Sequence, residues 1–576
     1  HMSIKGTEAF VKVLKNEGVD IVFGYPGGNA IDIFDALYDE KDIDVVLPRH
    51  EQGLIHAADG YARSTGKTGV CLVTSGPGAT NLVTGISTAN YDSVPLVCFT
   101  GQVPTKLIGN DAFQEVDIVG ITRTICKHCV TVRKREDLVR IIREAFYIAR
   151  TGKTGPVLID LPKDIMVEEY DKDDFTSQIS IRGYKPNETV HEGQIKRAME
   201  ILEKAKKPVF LIGGGVKISG AKKELTELAH ITQVPVITTV MGRGAIDTDD
   251  EMYVGNIGLH GSFASNRAIQ RCDVLFSIGT RFNDRITGKV EEFAKNATII
   301  HIDIEAASIS RNISVDVPIV ADAKLAIKEM LKRAKKCDTK LWREEIKTWD
   351  EEHPMHIDKP KGMSPEKIID IISDRYQGGI IVTDVGQHQM WTAQYLKMTK
   401  DTQLVMSGGL GTMGFGLPAA IGAKIGNRDR QVICISGDGG AQMNIQELAT
   451  AMSQETPFIF CIFNNSYLGM VRQMQTVYFD KRYSCTCLRY RKSCDRNCMD
   501  AGKKCPPYSP DFVKLAESYG AKGIRVWNED EIEKAFDEAD KNTESPTIIE
   551  FIIDPENLVL PMGQGSKPLD NMIMDC

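Results

Sequence analysis

The feature that most restricts how this chain can fold is a repeated alternation. Short runs that are apolar throughout, "IVFGYPGG", "GVCLVTSGPGATN", "PLVCFTG" and "PVLIDLP", are separated by stretches with helical spacing such as "EAFVKVLKNEG". A strand apolar on both faces must be covered on both, and this is the environment of a parallel sheet flanked by helices. The alternation stops at "DKDDFTSQISIRGYKPNET" and resumes with "PVFLIGGGV", "VPVITTV", "VLFSIGTRFNDR" and "TIIHIDIE". It stops again over the charged stretch "CDTKLWREEIKTWDEEHPMHIDKPKG" and opens a third time with "PEKIIDIISDR" and "GIIVTDVG". The expectation is an α/β protein of three doubly wound parallel-sheet domains, at residues 1–170, 190–336 and 364–576, joined by the two polar stretches as linkers.

A chain of 576 residues is too long for a single core, which agrees with several domains. The net charge of -8 offers no basic surface, and no basic run is interleaved with aromatics, so nucleic acid is not an expected partner. Neither a membrane span of roughly 18 to 20 apolar residues nor the apolar core of a signal peptide is visible, so a cytoplasmic protein with no membrane partner is expected. Fourteen cysteines in such a chain read as thiols or ligands, not as a disulfide framework.

Two of the apolar runs end on small, oxygen-bearing side chains. In "GDGGAQMNIQELATAMSQETPFIFCIFNN", residues 437–465, Asp438 follows "RQVICIS" and Asn465 follows "PFIFCIF", with helical spacing between them. In a right-handed βαβ unit the two strands are parallel and their carboxyl ends open on the same edge, so Asp438 and Asn465 are expected close together. Open α/β sheets take ligands at that edge, and carboxylate and amide oxygens suit Mg2+, which keeps substrate phosphates in its shell. Gly437, Gly439 and Gly440 would let a phosphate approach the backbone. Taken separately, GDG and NN are also common turn sequences. Other candidates have equally plain readings from residue type alone: Glu51 as a helix-capping carboxylate, Met413 as core packing, Arg285 as a surface cation, and Gly213, Gly214 and Gly215 as a tight turn.

The Asp438 and Asn465 pattern resembles the signature of the thiamine diphosphate enzymes. The segments "FGYPGG", "RHEQG", "TSGPGATN", "GQVPTKLIGNDAFQE", "GTRFNDRITGK" and "GLGTMGFGLPAAIGA" extend the resemblance over almost the whole chain, to the catalytic subunits of the acetohydroxyacid synthase family. The resemblance implies a pyrimidine-binding first domain, a central FAD-binding domain and a diphosphate-binding third domain, with the active site between the first domain of one subunit and the third of another. A homodimer or homotetramer follows from this, and a small regulatory subunit is a further possible partner. The activity implied is decarboxylation of pyruvate on thiamine diphosphate and ligation of the two-carbon unit to a second 2-oxo acid. The product would be 2-acetolactate or 2-aceto-2-hydroxybutanoate, in the first common step of branched-chain amino-acid biosynthesis. Rival readings are another thiamine diphosphate carboligase, a 2-oxo acid decarboxylase and, remotely, a non-catalytic metal or redox sensor.

The resemblance also assigns residues. Asp438, Asn465 and the backbone carbonyl of Tyr467 would hold Mg2+, and Val385, Gly386, Gln387 and His388 would meet the diphosphate. Glu51 would hold the aminopyrimidine, with Pro77, Asn81 and Gln114 nearby and Met413 as the apolar wedge that bends the cofactor. Arg285 would receive the carboxylate of the second substrate, with Lys106 and Phe113 in its channel. FAD, in a structural role, would contact Gly213, Gly214, Gly215, Thr239, Leu259, His260, Gly279, Arg281, Asp303 and Asp322.

Two departures stand out against the resemblance. Met474 occupies a position where the family usually has tryptophan, and the smaller contact surface predicts a weaker preference for 2-oxobutanoate and weaker herbicide binding. A loop at 485–505, expected to cap the site, holds Cys485, Cys487, Cys494, Cys498 and Cys505. This density suits zinc or an iron-sulfur cluster, with redox-labile disulfides or free thiols as the other readings. "CKHC", Cys126 to Cys129, has a metal-knuckle spacing but no second pair nearby and is taken as chance.

Overall fold

The computed structural model describes residues 3–494, 496 and 505–575. Three six-stranded sheets, parallel throughout, succeed one another along the chain. The first contains β1 (Ile21–Tyr25), β2 (Asp44–Val46), β3 (Gly69–Val73), β4 (Leu96–Gln102), β5 (His128–Thr131) and β6 (Pro156–Pro162), in the order β2-β1-β3-β4-β6-β5. The central sheet contains β7 (Pro208–Ile212), β8 (Val236–Thr238), β9 (Tyr253–Asn256), β10 (Val274–Ile278), β11 (Thr298–Asp303) and β12 (Val317–Val320), in the order β9-β8-β7-β10-β11-β12. In the third, β13 (Ile380–Thr383), β14 (Gln403–Val405), β15 (Val432–Gly437), β16 (Ile459–Asn464), β17 (Lys522–Val526) and β18 (Thr547–Ile552) run β14-β13-β15-β16-β18-β17. The expected three-domain parallel α/β architecture is therefore present, and the outer sheets share one topology while the central sheet has another.

The fully apolar runs are the inner strands: every residue of β3, β4, β6, β7 and β10 is buried, as helices on both sheet faces require. The βαβ unit built from β15 and β16 is present, with Gly437 opposite Phe463, but its crossover is not one helix. Helix Asp438–Met443 breaks at Asn444, whose side-chain amide donates to the Gly414 carbonyl at 2.8 Å, and the chain continues through a tight turn into Leu448–Ser453. The second polar stretch also differs from expectation. It contains a helix, Lys340–Glu352, that buries Trp342 and Trp349 against the central domain, the Trp342 indole donating to the Pro208 carbonyl at 2.9 Å.

One apolar core spans domains one and three, and each has a further core of its own on the other face of its sheet. The centre of the shared core is the contact between α1 (Glu51–Thr65) and α2 (Gly416–Gly426), where backbones approach because side chains are absent. A methyl group at Gly60 would collide with the Ala419 carbonyl, and one at Gly422 with the Ala57 carbonyl. Gly422→Ala therefore sets two effects against each other: a helix-propensity gain of about 1 kcal/mol and an overpacking cost of about 1–3 kcal/mol or more against backbone that cannot yield. The expected outcome is a lowered urea midpoint, whereas Gly565→Ala, in open space, leaves it unchanged; equal midpoints would contradict the packing role.

Candidate active site

In the third sheet the strand order reverses between β13 and β15, and the loops following these two strands flank the resulting crevice. Val385, Gly386, Gln387 and His388 come from the first loop, and Gly437, Asp438, Gly439 and Gly440 from the second. Asn465, Tyr467 and Leu468, after β16, close one side, and Met413 another. These residues line a small pocket of about 40 Å³ to which only the third domain contributes.

Asp438 is the unusual member. Its side chain is buried, at 1 % exposure, and neither carboxylate oxygen has a hydrogen-bond partner among the described residues. Burial pushes its pKa up to about 7; the backbone amides of Asp438 itself, Asn465 and Ser466 lie near enough to oppose that shift but are not aligned to hydrogen-bond the carboxylate. Asn465 is fixed beside it: its amide nitrogen donates to Gln387 Oε1 at 3.3 Å, and its Oδ1 accepts from the Tyr467 amide at 3.1 Å, leaving that oxygen a second lone pair. A buried, unpaired carboxylate next to an amide oxygen is a donor set that fits a hard divalent cation. His388 is also buried, with Nε2 unpartnered, and burial lowers its pKa to about 3, so a neutral imidazole faces the pocket.

Asp384 holds this arrangement together, and nothing in the motif analysis singled it out. At the carboxyl end of β13 it accepts from the amides of Val385 at 2.8 Å, Gly414 at 3.0 Å and Gly416 at 2.9 Å. One carboxylate thus ties the loop after β13 to the turn that carries Met413, whose Cε lies 3.5 Å from where a Gly439 methyl would be. Opposite, residues 486–488 pair with 466–468: Leu488 donates to the Ser466 carbonyl at 2.8 Å and Leu468 to the Thr486 carbonyl at 2.9 Å. Arg472, on α3 (Gly469–Tyr478), stacks on Tyr467 and Tyr483 at 4.6 and 4.2 Å and pairs with Glu556 at 2.7 Å. The start of the cysteine-rich segment is therefore a strap over the Asn465 turn.

The expected thiolate site falls partly outside the described residues. Cys487 lies in the bridge opposite Tyr467, while Cys485 and Cys494 are exposed. Among the described residues no three cysteine, histidine or acidic side chains come together as metal ligands, and Cys498 lies outside those residues. Among the described residues Cys126 and Cys129 acquire no further ligand; Cys129 belongs to edge strand β5.

The first domain gathers a second group at its own sheet reversal, between β1 and β3. Glu51 opens α1 and accepts from Asn81 Nδ2 at 3.1 Å; its other oxygen lies 3.5 Å from where a Gly78 methyl would be, one residue past Pro77. Gln114 packs its backbone on Gly76 and holds a positive φ of 58°, a conformation that costs roughly 1–3 kcal/mol and is held by its surroundings. Glu51 is only half-buried in the single chain. Lys106 and Phe113 are exposed, Phe113 at 87 %, and Met474 on α3 is 40 % exposed. None of Glu51, Pro77, Asn81, Lys106, Gln114, Phe113 and Met474 lines the Asp438 pocket.

The central sheet reverses between β7 and β10, in the strand order of dinucleotide-binding folds. Here a cleft of about 1420 Å³ opens, and Gly213, Gly214, Gly215, Thr239, Leu259, His260, Gly279, Arg281, Asp303 and Asp322 all line it. Gly279 has φ 66° and packs backbone to backbone on Gly213 and Gly215, so neither loop tolerates a side chain. Arg285 also lines this cleft and not the Asp438 pocket. Lys217, not singled out by any motif, lines it without a hydrogen bond or ion pair among the described residues; burial lowers its pKa to about 8. The cleft is not confined to the central domain, because Tyr91 and Asp92 of the first and Ser407 to Gly411 of the third form part of its wall.

Comparison with known families matches residues 4–121 to the thiamine pyrophosphate enzyme N-terminal TPP binding domain, 195–330 to the central domain and 384–551 to the C-terminal TPP binding domain. The chain is 46 % identical to a probable acetolactate synthase large subunit of Methanococcus aeolicus, over 99 % of this chain and 95 % of the relative. It is 41 % identical to the acetolactate synthase isozyme 3 large subunit of Escherichia coli K12, over 99 % and 98 %. It is 40 % identical to the acetolactate synthase large subunit of Haemophilus influenzae, also over 99 % and 98 %.

The raised pKa of Asp438 has a defined consequence for stability in the absence of metal. The folded chain holds this proton more tightly than the unfolded chain does, so no penalty exists below about pH 4, and one develops as pH rises toward about 7. In metal-free buffer Asp438→Asn is expected to melt higher than the parent at pH 8 and equally at pH 4; a lower melting temperature at pH 8 would show that the buried charge is compensated.

Proposed function

This chain belongs to the acetolactate synthase large subunits, within the thiamine pyrophosphate enzymes, and from that membership we propose that it releases CO2 from pyruvate and joins the remaining two-carbon unit to a second 2-oxo acid. The product is 2-acetolactate from two pyruvates, or 2-aceto-2-hydroxybutanoate with 2-oxobutanoate as acceptor. Thiamine diphosphate, when bound, supplies the carbanion and the electron sink for both bond changes. The observation that carries the reading is the unpaired Asp438 carboxylate beside Asn465 at a glycine-lined sheet edge.

Asp438, Asn465 and the carbonyl of Tyr467 hold Mg2+ in this reading, with Val385 to His388 and the glycines after β15 around the diphosphate. The pocket has room for a cation and its oxygen ligands but not for the organic part of the cofactor, and only the third domain lines it. Glu51 stands apart and half-buried in a single chain, so a second copy must bring its first domain over the pocket to supply Glu51, Asn81 and Gln114. A homodimer is thus the smallest complete enzyme, and relatives named as large subunits suggest a small regulatory subunit as a further partner. Glu51 would hold the aminopyrimidine and share a proton with it, and Met413 would pack against the cofactor as an apolar wedge. The cleft takes FAD: its size, its bare glycine loops and its unpaired Lys217 fit a dinucleotide, although the reaction needs no net redox change.

The decisive test is acetolactate formation from pyruvate with FAD supplied and thiamine diphosphate and Mg2+ present or omitted. Product that depends on both is expected; CO2 or acetaldehyde without acetolactate would make the protein a decarboxylase. Glu51→Gln should lower kcat by about 10² to 10⁴ while the cofactor still binds, since proton transfer is lost and contact area is not. Met474→Trp adds a rigid aromatic face worth about 1 kcal/mol. It should therefore shift the 2-oxobutanoate to pyruvate product ratio roughly fivefold toward 2-oxobutanoate, and an unchanged ratio would remove Met474 from the acceptor site.

A further inference from the structure

We infer that Asp92 is a positioning residue that couples the large cleft to the loop carrying Met413, so that a ligand in the cleft and the cofactor at the Asp438 pocket strengthen each other's binding. The inference rests on reading the cleft as a flavin site and the pocket as a thiamine diphosphate site.

Asp92 follows helix Val83–Tyr91 of the first domain, and its carboxylate is buried where three domains meet. Arg63 of the same domain donates to it at 2.9 Å. The backbone amides of Gly408 and Gly409, from the third domain, donate to it at 3.1 and 3.0 Å. Arg281 of the central domain pairs with it at 3.8 Å. Arg63 also donates to the Met406 carbonyl at 2.6 Å, so the loop is held on both sides of its entry. No slack exists at this point. A methyl at Gly409 would lie 2.8 Å from Tyr91 Cβ and 2.9 Å from Asp92 Oδ1, and one at Gly408 would collide with the Met241 sulfur of the central domain.

One turn earlier on the same helix, the Thr88 hydroxyl bonds that of Thr412 at 2.7 Å. Met413 follows directly, and beyond it Gly414 and Gly416 are fixed to Asp384, at the mouth of the Asp438 pocket. The loop from Ser407 to Gly416 is therefore suspended between a first-domain helix and the end of β13, with Met413 between its anchors. Its first half, Asp92 and Arg281 line the cleft.

The Arg281 pair with Asp92 is partly exposed and by itself contributes little. A cleft ligand that touches Arg281 and the 407–411 backbone gains those contacts only while they are docked on Asp92, and the same docking fixes Met413. Two sites that favour one arrangement of a shared element are coupled, and the coupling is reciprocal. This gives the cleft ligand a task in a reaction that uses no flavin chemistry.

The test is a pair of titrations on full-length protein stripped of both cofactors. The thiamine diphosphate Kd, at saturating Mg2+, is measured by tryptophan fluorescence with and without saturating FAD, and the FAD Kd by flavin fluorescence with and without thiamine diphosphate. The parent is expected to show roughly tenfold mutual tightening, inside the usual range for coupled sites. Asp92→Asn should still bind each cofactor but show less than about twofold coupling. Thr412→Val, which removes only the hydroxyl contact with Thr88, should show an intermediate value, and it decides the matter if Asp92→Asn does not fold. Undiminished coupling in whichever variant folds would overturn the role of Asp92, as would flavin binding with no coupling in the parent. A parent that takes up no flavin would overturn the flavin reading itself, and the inference with it.

Discussion

A carboxylate buried without a hydrogen-bond partner is costly, and the third domain is organised around one. Asp438 sits at the tip of an inner strand, where the sheet reversal leaves room for a ligand but where helices and loops exclude water. Ionising it in that position costs several kcal/mol unless a cation answers it. The surrounding contacts keep that demand unmet by protein. Asn465 is turned by Gln387 and Tyr467, Asp384 absorbs the nearby backbone amides, and His388 is kept neutral. The fold thus accepts instability at a buried carboxylate that no protein group answers among the described residues, as the proposed metal-diphosphate reading requires.

The same topological device is used three times. In each sheet the strand order reverses near the middle, and at that reversal stand short loops with little side chain: Gly76 and Gly78 in the first domain, Gly213 and Gly279 in the central one, Gly437 and Gly439 in the third. What differs is what stands beside the glycines. Glu51 faces one opening, Lys217, Arg281 and Asp303 another, and Asp438 the third. In the proposed reading, proton transfer, dinucleotide binding and metal-diphosphate binding are thereby divided among domains, and the close contact of α1 with α2 holds the outer two together.

The inner strands and the glycine loops were legible in the sequence because burial on both faces and close backbone approach leave compositional marks. All ten residues that the resemblance assigned to the flavin line one cleft. The edge strands β5 and β9 were not legible: they are short and half-exposed, so their residues are mixed. The helix at Lys340–Glu352 was hidden by its charges, although Trp342, Ile346 and Trp349 recur at helical spacing on its buried face. Asp384 and Asp92 were invisible because their roles come from partners far away in sequence. Arg285 and Met474 show the opposite limit. Each position follows from a motif, but their placement against a second substrate depends on surfaces that one chain does not complete.

Whether Asp438 and its neighbours form a metal-diphosphate site is read most directly by calorimetric titration of thiamine diphosphate into the FAD-loaded protein with Mg2+ or with a chelator. Binding in Mg2+ that weakens at least a hundredfold in chelator, with Mg2+ alone binding far less tightly than it does beside the diphosphate, is the predicted result. Equal affinity with and without the metal would mean that the buried carboxylate serves some other purpose and would contradict the account.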